Sequence, residues 1–330
     1  MPRIFLTHTP DARANYYGDK AEAGLRALGT LRLHDDPRPL STGELIDAAA
    51  GCEFIVSDRQ TKGDAEVFRR LPDLIGFLRC AVDIRNVDVA AASEAGVLVT
   101  RASAGFMASV SEWVIGVMID LSRDISAAVE TYRSGAMPVA AMGRQLRGST
   151  LGVIGYGQIG RYLADAALAL GMRVLIHDPL AQVTNPALVQ ASLPELLAGS
   201  DYVVCLAIAS AATENLMNAS AFRQMRSSAF FINASRGELV DESALTRALD
   251  YGWIAGCALD VGRDPDQMPS RVLAQHPRVI ATPHIGGLTP AAVEHQALET
   301  VSQLGEILAG RIPAGAVNAE RAGRLGRLNA

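Results

Sequence analysis

Short runs of apolar residues recur along the chain, separated by longer stretches in which apolar positions return every three or four residues. The short runs are RIFLT (3–7), EFIVS (53–57), LIGFL (74–78), VLVT (97–100), LGVIG (151–155), RVLIH (173–177), YVVCLA (202–207), AFFINA (229–234), AGCALDV (255–261) and RVIATP (278–283). Each predicts a strand. The runs are continuously apolar rather than alternating, as strands buried on both faces must be, and helix-patterned segments lie between most of them. The expectation is an α/β fold built on doubly wound parallel sheet.

Two longer helices stand out. From Ser109 to about Arg133, Val110, Val114, Val117, Met118, Leu121 and Ile125 recur at helical spacing. This stripe suits core packing or an inter-subunit face, and periodicity does not separate the two. The final helix, Ala291 to Gly310, carries Val293, Ala297, Leu298, Val301, Leu304 and Ile307. Segment 134–149 reads as a connector. The Arg-, Gly- and Ala-containing tail after Arg311 predicts a frayed or partner-draped end. No internal repeat is visible.

Length suggests about two domains for 330 residues. A net charge of -5 argues against nucleic acid as a partner, and no run of like charge suggests a polyanion or membrane surface. Cys52, Cys80, Cys205 and Cys257 form no C-x-x-C pair, so neither a metal site nor a redox motif is expected. The N-terminal MPRIFLTHTP lacks a signal-peptide pattern, and no stretch is long and apolar enough to span a bilayer. A cytoplasmic location is the expectation.

The first chemistry lies in TLGVIGYGQIGRYLADAALALGMRVLIHDP. Gly155, Gly157 and Gly160 form G-x-G-x-x-G between a predicted strand and a predicted helix. Alone the pattern is weak. Here it is followed by a second strand ending at Asp178, eighteen positions after Gly160. Gly155 permits the tight turn, Gly157 lets backbone approach a pyrophosphate, and Gly160 lets the helix pack on the strand. A pyrophosphate would rest on the helix N-terminus. Asp178 would accept from ribose hydroxyls and repel a 2′-phosphate, so NAD is the expected cofactor.

Several separated motifs then carry a family resemblance: INASRGELVDESAL (232–245), GCALDV (256–261), TPHIGGLT (282–289), VSEWVIGVM (110–118) and RCAVDIRNVDVAAASEAGVLVT (79–100). Together they resemble the D-isomer-specific 2-hydroxyacid dehydrogenases over nearly the whole chain. The resemblance implies two Rossmann-like or flavodoxin-like domains flanking a cleft. The substrate domain would comprise residues 1–103 and 289–330, with the NAD domain, 104–288, inserted between. It also implies a homodimer through the NAD domains and a small 2-hydroxy or 2-keto acid substrate.

Oxidation of a 2-hydroxy acid removes a proton from oxygen and a hydride from carbon, so a base with a pKa near neutral is needed, and histidine suits it. Of six histidines, His284 is singled out by T-P-H-I-G-G. Arg236 would grip the substrate carboxylate and carbonyl with its planar fork. Backbone N–H groups around Cys80, Ala81 and Val82 would hold the carboxylate from the other domain. Asp260 would accept from the nicotinamide carboxamide, or else cap the next turn. Gly286 and Gly287 would leave room for the ring. Tyr156, Gln158, Ile159, Thr213 and Ala234 complete the expected cofactor contacts.

The resemblance breaks at one loop. The family has L-D-V-aromatic-x-x-E-P, whose glutamate partners the catalytic histidine. This chain reads A-L-D-V-G-R-D-P-D-Q-M-P, with Gly262 for the aromatic and Asp264 one position early. Three outcomes are open: Asp264 or Asp266 substitutes, His284 works without a carboxylate, or NAD binds with poor turnover. Ile208, where proline is common, and Met107, near a usual asparagine, are further departures. The expected enzyme is an NAD-dependent 2-hydroxyacid dehydrogenase. Alternatives are a non-catalytic NAD-sensing protein, a formate-type hydride abstractor, and a phosphoglycerate-type enzyme. The last lacks an evident basic cluster beyond Arg79 and Arg85.

Overall fold

The computed structural model describes Met1 to Asn329. The chain divides into two compact units, one formed by Met1–Gly105 together with the chain from Pro290 onward, the other by Phe106–Thr289.

The first unit is built on β1 (Arg3–Leu6), β2 (Thr30–Leu33), β3 (Phe54–Ser57), β4 (Gly76–Arg79) and β5 (Leu98–Arg101), in the order β2-β1-β3-β4-β5. The second is built on β6 (Thr150–Ile154), β7 (Arg173–His177), β8 (Val189–Gln190), β9 (Tyr202–Cys205), β10 (Phe230–Asn233), β11 (Gly256–Leu259) and β12 (Val279–Ala281). Its order is β12-β11-β10-β9-β6-β7-β8. Every ladder in both sheets is parallel. Apolar clusters lie on both faces of each sheet. Continuous apolar strands such as FIVS, YVVC and GCAL are buried at every position for that reason.

Register fixes the working edge of the second sheet. Ile154 pairs with both His177 and Cys205, and Asn233 with both Cys205 and Leu259. The residues that follow these strands therefore leave the sheet in one row. Between β6 and β9 the chain order reverses, and such a switch point opens a crevice beyond the carboxyl ends of the strands.

The structure corrects three expectations. The helix from 109 to 133 is two helices, Met107–Arg123 and Ile125–Arg133, broken at Asp124, whose φ is +52°. Val110, Val114, Val117, Met118 and Leu121 are buried, so that part of the stripe is core. Ile125 is 47% exposed and the second helix buries no residue, so no apolar face holds the two axes in line. Asp120 stabilises the break by accepting from both the backbone N–H and the hydroxyl of Ser126.

β2 and β8 escaped the apolar-run criterion because both are edge strands with partly exposed, partly polar residues. The tail, expected to fray or to drape on a partner, is pinned to the first unit. The Asn318 side chain accepts from Val99 N (2.8 Å) and donates to Val97 O (3.0 Å), and Arg324 donates to the carbonyls of Leu71 and Leu74. Arg79, noted from the sequence beside the loop after β4, is fully buried. Its guanidinium donates to the carbonyls of Asp58 and Thr61 and to the Asn86 side chain, tying together the loops that follow β3 and β4. Among the described residues no helix is long and apolar enough to cross a membrane, and no cluster of metal-ligating side chains occurs.

Candidate active site

The glycine turn follows β6 directly. Gly155 has a φ of +99°, and a Cβ there would lie 2.7 Å from the Leu206–Ala207 backbone. A Cβ on Gly160 would collide with the carbonyl oxygen of Gly155, so helix Gln158–Ala169 packs on the turn only because no side chain is present. Gly157 is different. A Cβ there meets nothing within 4 Å, so nothing in the chain itself asks for glycine. The backbone is bare toward open space beside first-turn N–H groups that have no intrahelical acceptor and no capping side chain. That cradle fits a pyrophosphate.

Asp178, the residue after β7, accepts from Tyr156 N (2.7 Å) with one carboxylate oxygen and from Leu180 N and Ala181 N (2.8 and 3.0 Å) with the other. Partial burial pushes its pKa up, but these three bonds outweigh it and hold the carboxyl below its ordinary value. The acid is thus fixed as an anion beside the glycine turn. The Tyr156 ring is buried, with the Arg161 guanidinium 4.3 Å from its centroid.

Beyond β10, the buried Asn233 forms an Asx turn. It accepts from Ser235 N (3.1 Å) and donates to Arg236 O (2.9 Å). Ser235 donates to Ala207 O (2.6 Å), and Ala234 N to Cys205 O (3.4 Å). Arg236 leaves this turn in extended conformation, with Nη1 on Ser235 O (2.7 Å).

Asp260 follows β11 and is buried. It accepts from Thr282 Oγ1 (2.6 Å), Ile285 N (2.8 Å) and Gly286 N (2.7 Å). Of the two roles open to it, capping the next turn is the one the geometry displays, and it uses three of about four acceptor positions. A Cβ on Gly286 would lie 2.8 Å from Asp260 Oδ2, so this glycine is required by the carboxylate. His284 stands at the crest of that turn with a φ of +55°, a left-handed conformation that is strained for a residue with a Cβ. Its Nδ1 lies 3.2 Å from the carbonyl oxygen of Asp266.

The divergent loop corrects the expectation for Asp264. After Gly262 the chain makes a tight reversal in which Asp264 and Met268 bridge, and Asp266 and Gln267 both take a φ of 60°. Asp264 is extended and exposed. Its carboxylate forms no hydrogen bond or ion pair among the described residues, and the reversal brings Asp266, not Asp264, to His284. Arg263 anchors the loop, donating to Glu214, Asn215 and the carbonyls of Glu238 and Val240. Gln267 joins it to the Arg236 turn, accepting from Gly237 N (3.3 Å) and donating to Glu238 Oε1 (3.4 Å). Neither residue was singled out from sequence. The only signal for them was that the loop departs from the pattern.

Thr213 is engaged locally, donating to Ile208 O (2.7 Å) and accepting from Ser210 N (2.8 Å), while Ile208 is exposed. In the first unit, Cys80, Ala81 and Val82 follow β4. The N–H of Cys80 is used in the sheet, donating to Ser57 O (2.9 Å), so it does not serve an external carboxylate. The N–H groups of Ala81 and Val82 have no acceptor among the described residues. Burial pushes the Cys80 thiol up to about 12.

Comparison with known proteins adds the following. The sequence pattern of the family described as "D-isomer specific 2-hydroxyacid dehydrogenase, NAD binding domain" matches residues 115–286, just over half of the chain. D-3-phosphoglycerate dehydrogenase 2, chloroplastic, of Arabidopsis thaliana is 33% identical over 304 residues, covering 90% of this chain and 49% of that protein. D-3-phosphoglycerate dehydrogenase of Rattus norvegicus is 33% identical over 85% of this chain and 53% of its own length. The chain spans about half the length of these curated relatives. Among solved structures, the TT0316 protein from Thermus thermophilus superposes with a TM-score of 0.86 at 30% identity, covering 96% of this chain and 99% of that one. D-lactate dehydrogenase from Escherichia coli superposes with a TM-score of 0.83 at 26% identity over 96% and 99%.

Proposed function

The chain belongs to the D-isomer specific 2-hydroxyacid dehydrogenase family, and from that premise we propose that it interconverts a small D-2-hydroxy acid and its 2-keto acid with NAD. When bound, the nicotinamide supplies or takes the hydride at C4. Everything else falls to the chain. Gly155, Tyr156, Gly157, Gln158, Ile159 and Gly160 seat the pyrophosphate, and Asp178 receives the ribose hydroxyls and disfavours a 2′-phosphate. Arg236 grips the substrate carboxylate and carbonyl, and on the first unit the N–H groups of Ala81 and Val82 are candidate donors to a carboxylate. In reduction His284 delivers a proton to the carbonyl oxygen as the α-carbon gains hydride. In oxidation it takes that proton back.

The observation that carries this reading is the row of strand ends. Gly155, Asp178, the Asn233–Arg236 turn and Asp260 with its His284 turn all leave one parallel sheet at the edge where its chain order reverses. The test is NADH oxidation with a panel of 2-keto acids. Turnover that drops about a hundredfold or more in Arg236→Gln and His284→Gln, with NADH affinity kept, supports the reading. Tight NADH binding without turnover of any keto acid sinks it in favour of an NAD-sensing protein.

The substrate of the phosphoglycerate dehydrogenases at 33% identity gives a second reading, D-3-phosphoglycerate, which belongs in the panel. Against it, Arg79 already spends its guanidinium on Asp58, Thr61 and Asn86 inside the first unit. We further read the protein as a cytoplasmic homodimer. Four buried thiols suit a reducing compartment. Ile119, Ile125, Val129 and Tyr132, with Met137, Val139 and Met142 beyond them, leave exposed apolar side chains on the second unit for a second copy to cover.

A further inference from the structure

We propose that Gln267 is the positioning residue of the reaction centre. It holds the backbone carbonyl of Asp266 against Nδ1 of His284 and ties that arrangement to the turn bearing Arg236. The inference rests on the reading of His284 as proton donor and acceptor.

The argument starts from the reversal at 264–268. Two successive non-glycine residues, Asp266 and Gln267, stand at a φ of 60°. Each left-handed residue with a side chain costs about 1–2 kcal/mol, so the turn persists only if something holds it. The Gln267 side chain meets that need with both halves of its amide. The carbonyl half accepts from Gly237 N at 3.3 Å, and the amino half donates to Glu238 Oε1 at 3.4 Å. The Gln267 main-chain carbonyl also accepts from Gly262 N at 2.9 Å, closing the reversal on its own entry. The outcome is that the carbonyl of the preceding residue faces the imidazole at 3.2 Å.

A carbonyl oxygen only accepts, so Nδ1 of His284 must carry a hydrogen in this bond, and the exchange of a proton with substrate is assigned to Nε2. The same bond favours the imidazolium, which keeps Nε2 able to act as an acid. Because Gly237 and Glu238 directly follow Arg236, one side chain fixes both the proton donor and the substrate fork. The charged groups on the elements around the ring are Asp260 beneath the 282–286 turn, Asp264 and Asp266 on the reversal, Arg263 beside it, and Arg236 with Glu238 on the adjoining turn. None of them lies on the segment that Gln267→Gly alters except the two aspartates.

Gln267→Gly is the informative variant, since glycine accepts the left-handed backbone freely and only the side-chain amide is lost. Expected are an unchanged or raised melting temperature, unchanged NADH affinity, a kcat lowered about tenfold or more, and a raised KM for the keto acid. The limb of kcat/KM that falls with rising pH in the reduction direction should move to lower pH, because the imidazolium has lost the Asp266 carbonyl as an acceptor. A purely structural role would lower the melting temperature and weaken NADH binding while leaving that limb in place, and that result overturns the proposal. Nitrogen-15 histidine spectra make the test independent of turnover. The wild type should show Nδ1 protonated and Nε2 bare in neutral His284, and the variant a mixture of tautomers. If no keto acid is turned over, the functional reading fails while the spectra still decide the role of Gln267. Identical His284 spectra in the two proteins refute it.

Discussion

A Cβ on Gly237 would collide with the carbonyl oxygen of Gly262. The turn that carries Arg236 and the loop that faces His284 therefore meet backbone to backbone. Gly262 is confined in its turn, because a Cβ on it would lie 2.5 Å from Pro269 Cα and 2.6 Å from Met268 O. The aromatic that the family pattern has at this place is incompatible with the reversal at 264–268. Gly262→Phe should destabilise the protein by about 3 kcal/mol or more, the upper end for overpacking, as read from the urea midpoint. A variant as stable as the wild type would show that the loop has a second route.

Asp178 is held ionised beside the glycine turn by three backbone N–H groups. Asp178→Ser removes the charge that disfavours a 2′-phosphate. The ratio of kcat/KM for NADPH over NADH should rise by about tenfold or more. An unchanged ratio would mean that cofactor choice is made elsewhere.

Asp260 carries the turn on which His284 stands. Asp260→Ala strands the N–H groups of Ile285 and Gly286 and the hydroxyl of Thr282. With hydrogen bonds to a charged group worth about 1.5–3 kcal/mol each, a loss of several kcal/mol in unfolding free energy is expected, together with loss of turnover. Full stability with altered NADH affinity alone would instead assign the carboxylate to the cofactor.

His8 supplies a pH dependence that belongs to the first unit. Burial is the main cause that pushes its pKa down to about 4; the Asp58 carboxylate works against it, and Arg79 and Arg13 work with it. Above about pH 6.5 the imidazole is neutral in both folded and unfolded chains. As pH falls from there toward 4, only the unfolded chain takes up the proton, so stability drops on the order of 3 kcal/mol across that window. The urea midpoint of His8→Gln should fall less between pH 7 and pH 4.5 than that of the wild type. Equal falls would remove His8 as the cause.

Much of this was legible before any fold. Among the described residues, ten of the twelve strands announced themselves as apolar runs because parallel strands covered on both faces tolerate little else, and β2 and β8 were silent because edge strands lack that constraint. The glycine turn and Asp178 were readable from their strand–turn–helix–strand context and spacing, whereas Arg236 and His284 were proposed from motifs that resemble the family's. Periodicity overran Asp124, since a single left-handed residue leaves the spacing of apolar residues almost unchanged.

What only the tertiary structure decided are the partnerships between segments distant in sequence. Asp260 spends its carboxylate on residues 282–286, Arg79 is consumed inside the first unit, and the Cys80 N–H belongs to the sheet. The loop at 262–268 is the sharpest case. Its sequence announced a lost glutamate, but which group meets His284 depends on two left-handed residues and a glutamine reaching another turn. A main-chain carbonyl has no letter in the sequence, so its role becomes visible only when the backbone path is known.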